Sequence, residues 1–225
     1  KMLEKNYDFP YIKYDPSKTY REWGLAHGES FREGIRELLE IRKELMLNKN
    51  PSLSGEIDSL AQLQFNITKD FAPEITEEIE GIAQGADLSI SEIVILNNYT
   101  DFRDIQLPEE GCSTVHVQHN DETLSGQTWD MHGSAKRFVN VIHVPRTPTT
   151  PEAIVFSLIG CVGLMGINTS QNLIGVNNIN TANAQAGLIW PALVRKVLKE
   201  TSLSGMRAKL TSAPVTSGHN YLLTS

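Results

Sequence analysis

Cys112 is the residue of this chain whose surroundings best suit covalent chemistry. It lies in the segment Glu110-Gly111-Cys112-Ser113-Thr114, where sequence typical of helices gives way to sequence typical of strands. An internal cysteine needs a separate base, usually a histidine, to take the thiol proton. A cysteine at a chain start has its own base in the α-amine, whose ordinary pKa of about 7.7–8.0 is close to neutrality. The position of Cys112 at this junction favours the second arrangement.

A terminal Cys112 requires that the peptide bond after Gly111 be cut. The thiol would attack the Gly111 carbonyl and form a thioester, which water would then hydrolyse. Glycine suits this step because, lacking a Cβ, it tolerates strained dihedral angles and leaves its carbonyl carbon approachable. The residues alone also permit two other interpretations. One is an uncut scaffold or binding protein with an ordinary thiol, and the other is an uncut amidase in which His116 or His132 activates Cys112.

Helical patterns dominate the chain before Cys112. Apolar residues recur at helical spacing between charged residues at positions 29–45, 60–71 and 74–86. A shorter helix is predicted at residues 92–99, with Ser89 or Ser91 as its N-cap, because a serine hydroxyl can accept from the free amides of the first turn. Residues 1–111 are therefore predicted to form a mainly helical segment.

Short runs of β-branched and aromatic residues, separated by turn residues, dominate the chain after Cys112. One amphipathic helix, residues 191–199 with Pro191 in its first turn, interrupts them. The chain is accordingly predicted to have the α+β class, with residues 1–111 and 112–225 as two parts of one intertwined domain. The predicted strands are residues 113–117, 123–129, 139–144, 153–158, 173–176 and 215–223.

These two parts carry opposite net charges. Residues 1–111 hold 12 Lys and Arg against 22 Asp and Glu, a net charge of −10, and residues 112–225 hold 8 against 5, a net charge of +3. We therefore expect the parts to attract each other and to pack together. The acidic balance disfavours nucleic acid as a partner, and no apolar run is long enough to span a bilayer. No signal-peptide core is evident, so a cytoplasmic location is slightly favoured, with a leader already removed as the alternative.

The second cysteine and the histidines show no separate catalytic pattern. Cys161 lies in the apolar run 153–164 and is predicted to be a core residue in a strand rather than a second nucleophile. The two cysteines would allow one disulfide, and no Cys or His spacing indicates a metal site. His27 is expected to be structural.

Seven short motifs follow one another in an order that resembles one known family. The first part holds Trp-Gly-Leu-Ala-His-Gly at 23–28, Glu-Glu-Ile-Glu-Gly-Ile-Ala-Gln-Gly-Ala at 77–86 and Ser-Glu-Ile-Val-Ile-Leu-Asn at 91–97. The second part holds Gly-Cys-Ser-Thr at 111–114, Gly-Gln-Thr-Trp-Asp at 126–130, Gly-Leu-Met-Gly-Ile-Asn at 163–168 and Gly-Val-Asn at 175–177. Together they resemble the acyl-coenzyme A:isopenicillin N (6-aminopenicillanic acid) acyltransferase family of N-terminal nucleophile hydrolases.

This resemblance, which runs from about Glu22 to the last residue, implies a fold and a set of roles. The fold would be an αββα sandwich, in which residues 1–111 are a propeptide that remains as a small subunit after cleavage. Cys112 would be the nucleophile for self-cleavage and for turnover, with its α-amine as the base. Asp130 would hold that amine by a charge-assisted hydrogen bond. Asn177 would help to bind the substrate's carbonyl oxygen, with the nearby Asn178 and Asn180 as alternatives for this role.

The resemblance also implies substrates. They are a small-molecule acyl donor, either an amide or a thioester such as acyl-coenzyme A, and an amine or water as acceptor. No metal or redox cofactor is required by this thiol chemistry. Thr128, Met131 and His132 depart from the family pattern, and we expect them to shape the acyl pocket. A later asparagine and an arginine of the family have no counterpart before Ser225, so the chain is expected to be truncated at its C-terminus.

Overall fold

Helices occupy most of the chain before residue 104. The computed structural model describes residues 9–103, 112–179 and 184–225. A 3-10 helix at Pro51–Gly55 lies between the α-helices at Arg32–Lys49 and Ile57–Phe71. The helical character predicted for this part is confirmed. A short strand β1 (Tyr11–Lys13) precedes the helices α1 (Tyr20–Ser30), α2 (Arg32–Lys49), α3 (Ile57–Phe71), α4 (Pro73–Ala86), α5 (Ile90–Asn97) and α6 (Tyr99–Arg103).

Local sequence sets several of the helix ends. Thr19 caps α1 in a capping box with Glu22, and Ser89 caps α5 in the same way with Glu92. In each box the cap hydroxyl accepts from the glutamate N–H, and the glutamate carboxylate accepts from the cap N–H. Of the two serines predicted to cap the helix at residues 92–99, Ser89 is therefore the observed cap. Helix α4 begins with Pro73, whose missing N–H is no loss in a first turn.

Helices α1 and α4 cross with their backbones in close contact. A Cβ built on Gly24 would lie 2.0 Å from a carbonyl oxygen of α4, and one built on Gly81 would lie 2.1 Å from a carbonyl oxygen of α1. Gly28 and Gly85, one turn further along each helix, face the opposite backbone in the same way. Only glycine leaves room for this approach. These glycines belong to the first two motifs, whose packing role was not predicted.

A six-stranded sheet forms the centre of the second part. All neighbouring strands are antiparallel except β1, which runs parallel to its neighbour with Tyr11 opposite Val141. A strand from the first part therefore completes one edge of a sheet built by the second. The strands are, in spatial order, β1, β4 (Val139–Val144), β5 (Ala153–Leu158), β6 (Met165–Asn168), β7 (Leu173–Asn178) and β8 (His219–Thr224).

A separate β-hairpin follows Cys112. It consists of β2 (Thr114–His119) and β3 (Glu122–Gln127), with Asn120 in the left-handed region at φ 54° in the turn. Gln127 fastens the hairpin to β7, because its side-chain amide donates to the Val176 carbonyl at 2.6 Å and accepts from the Val176 N–H at 2.8 Å. The α+β class is thus confirmed, and this second layer of β structure is compatible with a sandwich.

A buried ion pair joins the two parts of the chain. Arg195, in helix α7 (Trp190–Val197), donates to both carboxylate oxygens of Glu78 in α4 at 2.9 and 2.8 Å. The two side chains are only 2% and 0% exposed. Tyr14 adds a hydroxyl hydrogen bond to Glu78 at 2.7 Å. This ion pair therefore connects the acidic part to the basic part.

His27 lies in the same buried region and also joins the two parts. Its Nε2 accepts from the N–H of Gly160 at 2.9 Å, and the residue is 1% exposed. Burial, and then the positive charge of Arg195, lower the pKa of His27 to about 3, so the imidazole is neutral. These contacts agree with the structural role expected for His27.

The structure differs from the predicted elements at several points. Residues 29–45, predicted as one helix, contain the end of α1 and most of α2, because Phe31 leaves helical geometry at φ −125°. The strand predicted at residues 123–129 ends two residues earlier. Strands β1 and β6 were not predicted. Nor was helix α8 (Leu203–Ser212), in which Met206 is the one buried residue.

Two further predictions are corrected near the ends of strands. The strand predicted at residues 215–223 begins only at β8, because Val215, after a proline, makes an isolated bridge instead. Cys161 follows β5 rather than lying in it, because Gly160 turns the chain with φ 82°. Cys161 is nevertheless fully buried, as expected.

Among the described residues, no helix is both long and apolar enough to cross a membrane.

Candidate active site

A small cavity lies beside the start of β2, and Cys112 borders it. Its volume is about 30 Å³, enough for a water molecule. Asp130 and Met131 border it from the segment after β3, Asn178 from the end of β7 and His219 from the start of β8. Three of the predicted site residues, Cys112, Asp130 and Met131, are therefore brought together. The remaining lining residues are Thr100, Trp129, Met165, Val176 and Trp190.

Thr128 fixes the backbone next to Cys112. Its hydroxyl accepts from the N–H of Ser113 at 2.9 Å, and its own N–H donates to the Ser113 carbonyl at 2.9 Å. These two bonds hold the residue after the cysteine against the segment that carries Asp130. Cys112 itself is a half-buried free thiol. Gly111 lies outside the described residues, so the predicted cleavage bond is described on its Cys112 side only.

The two adjacent asparagines of β7 face different neighbours. The side-chain oxygen of Asn177 accepts from Thr114 Oγ1 at 3.2 Å and from Asn220 Nδ2 at 3.0 Å. These partners place Asn177 beside the hairpin, because alternate residues of a strand point to opposite faces of a sheet. Asn178 borders the cavity with Cys112 instead. The predicted residue Asn177 is thus one position from the asparagine that faces the thiol's cavity.

The two histidines that could activate Cys112 in an uncut amidase do not border its cavity. His116 Nδ1 lies 2.8 Å from Ser125 Oγ on the exposed hairpin. His132 Nδ1 lies 2.7 Å from Ser134 Oγ, and its ring packs edge-on against Tyr99 at 5.5 Å between centroids. Of the three residues predicted to shape the acyl pocket, Met131 therefore lines this cavity and His132 and Thr128 do not.

His219, which borders the same cavity, forms a buried pair with Asp101 that was not predicted. His219 Nε2 lies 3.0 Å from Asp101 Oδ1, with side chains 2% and 1% exposed. Ser217 donates its hydroxyl to the same Asp101 oxygen. His219 Nδ1, Asp101 Oδ2 and the Tyr221 hydroxyl have no hydrogen-bond partner in the part of the chain that is described. The sequence could not reveal this pair, because its members are 118 residues apart and meet only through the fold.

Cys161 has the environment of a core residue. It is fully buried, and burial raises the pKa of its thiol to about 11 despite the nearby positive charge of Arg42. A thiol with so high a pKa holds almost no thiolate at neutral pH, and the thiolate is the reactive form. Both cysteines are free, so neither is used in a disulfide.

Fold and cavity together define an α+β protein in which a free thiol lies beside carboxylate, amide and imidazole groups. No protein-family model matches the chain. The chain is 28% identical over 196 residues to the acyl-coenzyme A:6-aminopenicillanic-acid-acyltransferase 40 kDa form of Emericella nidulans. The match covers 86% of this chain and 55% of that protein, so the chain spans about half the length of this curated relative. The similarity confirms the resemblance that the seven motifs indicated.

Proposed function

We propose that this protein is a self-processing acyltransferase or amide hydrolase in which Cys112 carries the acyl group as a thioester. The observation that supports this most is the meeting of Cys112 and Asp130 at one cavity. The relative's name, that of an acyltransferase, supports acyl transfer as the reaction. A small-molecule acyl donor and an amine or water acceptor are the substrates that this chemistry takes.

Self-processing makes the catalytic base. The Cys112 sulfur attacks the carbonyl of Gly111, the carbon–nitrogen bond breaks, and the released nitrogen becomes the α-amine of Cys112. Water then hydrolyses the thioester and frees the thiol. The pieces 1–111 and 112–225 stay together, because buried contacts such as the Glu78–Arg195 ion pair cross between them. The first piece thereby becomes a small subunit.

Turnover uses the same sulfur on an external carbonyl. The α-amine takes the thiol proton, the sulfur attacks the donor's carbonyl carbon, and the leaving group departs with the proton. An amine or water then attacks the thioester and restores the thiol. Asp130 holds the protonated amine by a charge-assisted hydrogen bond.

Oxyanion binding requires a hydrogen-bond donor close to the sulfur. Asn178 borders the cavity, whereas Asn177 lies beside the hairpin. Asn178 is therefore the better placed of the two for the role that the resemblance assigns to Asn177. Trp129, Met131 and Trp190 supply the apolar walls of this cavity.

Trapping of the acyl-enzyme tests this proposal. We expect incubation with an acyl-coenzyme A donor, followed by acid quenching, to add the mass of one acyl group to the peptide that contains Cys112. Neutral hydroxylamine should remove it, because hydroxylamine cleaves thioesters. The Cys161→Ala variant should be labelled like the wild type, since its thiol is buried. The Cys112→Ala variant should not be labelled.

Other outcomes identify the rival interpretations. Labelling that persists in the Cys112→Ala variant would contradict a nucleophilic Cys112. An unlabelled, uncut wild-type chain would favour the scaffold or binding protein. Labelling of Cys112 in a chain that stays uncut during turnover would favour a cysteine–histidine amidase without self-cleavage.

A further inference from the structure

The proposed self-cleavage leaves one proton transfer without an acceptor. Before the chain is cut, the nitrogen of Cys112 is a peptide nitrogen and cannot serve as a base. The thiol must still lose its proton if its sulfur is to attack the preceding carbonyl. A different base beside Cys112 is therefore needed in the uncut chain.

Two ionisable side chains border the cavity together with Cys112. Asp130 is exposed, and a carboxylate is a weak base towards a thiol. His219 is buried, and imidazole is the side chain that most often serves as a general base. His219 is therefore the stronger candidate.

The contacts of His219 hold its ring in the tautomer that such a base needs. Asp101 offers only acceptor atoms as a carboxylate, so its contact with His219 Nε2 at 3.0 Å places the ring N–H at Nε2. Nδ1 is left as an acceptor, and it is buried without a partner among the described residues. A buried acceptor without a partner is costly, which points to a partner that forms during function. Trp190 and Tyr221 pack against the ring at 5.3 and 6.0 Å between centroids.

We propose that His219, oriented by Asp101, accepts the Cys112 thiol proton at Nδ1 in the uncut chain and returns it to the departing nitrogen. This inference rests on the proposed self-cleavage. One sulfur–carbon bond forms, the peptide carbon–nitrogen bond breaks, and the proton passes from sulfur through Nδ1 to the nitrogen that becomes the α-amine. That amine then takes over as the base for turnover. His219 contacts Asp101 from α6, Trp190 from α7 and Tyr221 from β8, and it borders the same cavity as Cys112 and Asp130.

The rate of cleavage in freshly translated chain tests this role. Denaturing mass analysis over time should show that His219→Gln slows cleavage by roughly 10²-fold or more, the usual range for loss of a general base. Asp101→Asn should slow it less, because the imidazole remains. His119→Gln is the matched control, since His119 is exposed on the hairpin and does not border the cavity, and it should cleave at the wild-type rate. Wild-type cleavage that His219→Gln leaves unchanged would overturn this inference and leave the proposed function intact.

A second readout uses the wild-type chain alone. Iodoacetamide labelling of Cys112 in the intact-chain species should be faster at neutral pH than labelling of free cysteine in the same solution, because an imidazole takes the thiol proton. Cys161 should stay unlabelled, because burial raises its pKa to about 11. Labelling of Cys112 no faster than that of free cysteine would overturn the role of His219. A wild-type chain that never cuts would instead overturn the proposed function, and its labelling would still report on His219.

Discussion

The two cysteines show how burial separates reactive from inert thiols in one chain. Cys161 is enclosed by the core, and its raised pKa keeps it protonated. Cys112 is half-buried just before β2 begins, and the ionisable residues Asp130 and His219 border the same cavity. Position in the fold, rather than residue type, decides which thiol can act as a nucleophile.

A buried neutral histidine gives the folded protein a specific response to acid. The pKa of His27 is lowered to about 3 in the folded state, so the unfolded chain binds more protons between that value and about 6.5. The stability contributed by neutral His27 is complete above about pH 6.5 and is lost as the pH falls towards 3. We expect the free energy of unfolding to fall by up to about 1.4 kcal/mol per pH unit in this window.

Urea denaturation between about pH 7 and 5 measures this slope. The Cys112→Ala background keeps the chain in one piece, so that unfolding involves a single molecule. His27→Gln should flatten the slope, whereas His119→Gln, on the exposed hairpin, should leave it unchanged. Equal slopes for wild-type and His27→Gln proteins would show that this histidine does not titrate on unfolding.

At the scale of elements, amphipathic helices and capped ends could be predicted from the sequence, and lone short strands could not. The helical period and the Ser89 capping box are local signals, so α3, α4 and α5 were predicted close to their bounds. Strand β1 has three residues and forms only because β4 offers an edge. Its pairing depends on distant chain, which no local pattern records.

The crossing of α1 and α4 depends on glycines that allow backbone contact. We expect Gly81→Ala to lower the free energy of unfolding by about 1–3 kcal/mol, because the added Cβ would lie 2.1 Å from the Arg21 carbonyl oxygen and force the helices apart. Gly55→Ala is the control, since a Cβ there meets nothing within 4 Å. Chemical denaturation of both variants would make this comparison. A Gly81→Ala protein as stable as Gly55→Ala would contradict the tight crossing.

At the scale of the whole molecule, the two parts of the chain share a core and an ionic connection. The net charges of the parts predicted their association, but not that a single bidentate pair, Glu78 with Arg195, would lie fully inside it. The candidate site likewise combines residues that the sequence predicted with residues that it did not. Motifs near Cys112 predicted Asp130 and Met131, whereas Asp101 and His219 come from distant segments in both parts and meet only in the folded chain.

Removing one member of the buried ion pair should destabilise the protein strongly. Glu78→Gln leaves Arg195 buried without a counter-charge, and we expect the free energy of unfolding to fall by about 3–5 kcal/mol. Lys18→Met breaks the exposed Lys18–Glu22 pair, whose side chains are 52% and 45% exposed, and should change stability by about 1 kcal/mol or less. Urea denaturation in the Cys112→Ala background separates the two cases. Similar small losses in both variants would mean that the buried pair does not hold the parts together.

Cutting the chain before Cys112 would turn Cys112 into a terminal residue with its own base. Denaturing mass analysis of the purified protein tests it most directly. We predict two pieces, the second beginning at Cys112, and one uncut chain for the Cys112→Ala variant. A wild-type chain that turns over an acyl donor while its backbone stays intact before Cys112 would contradict the account.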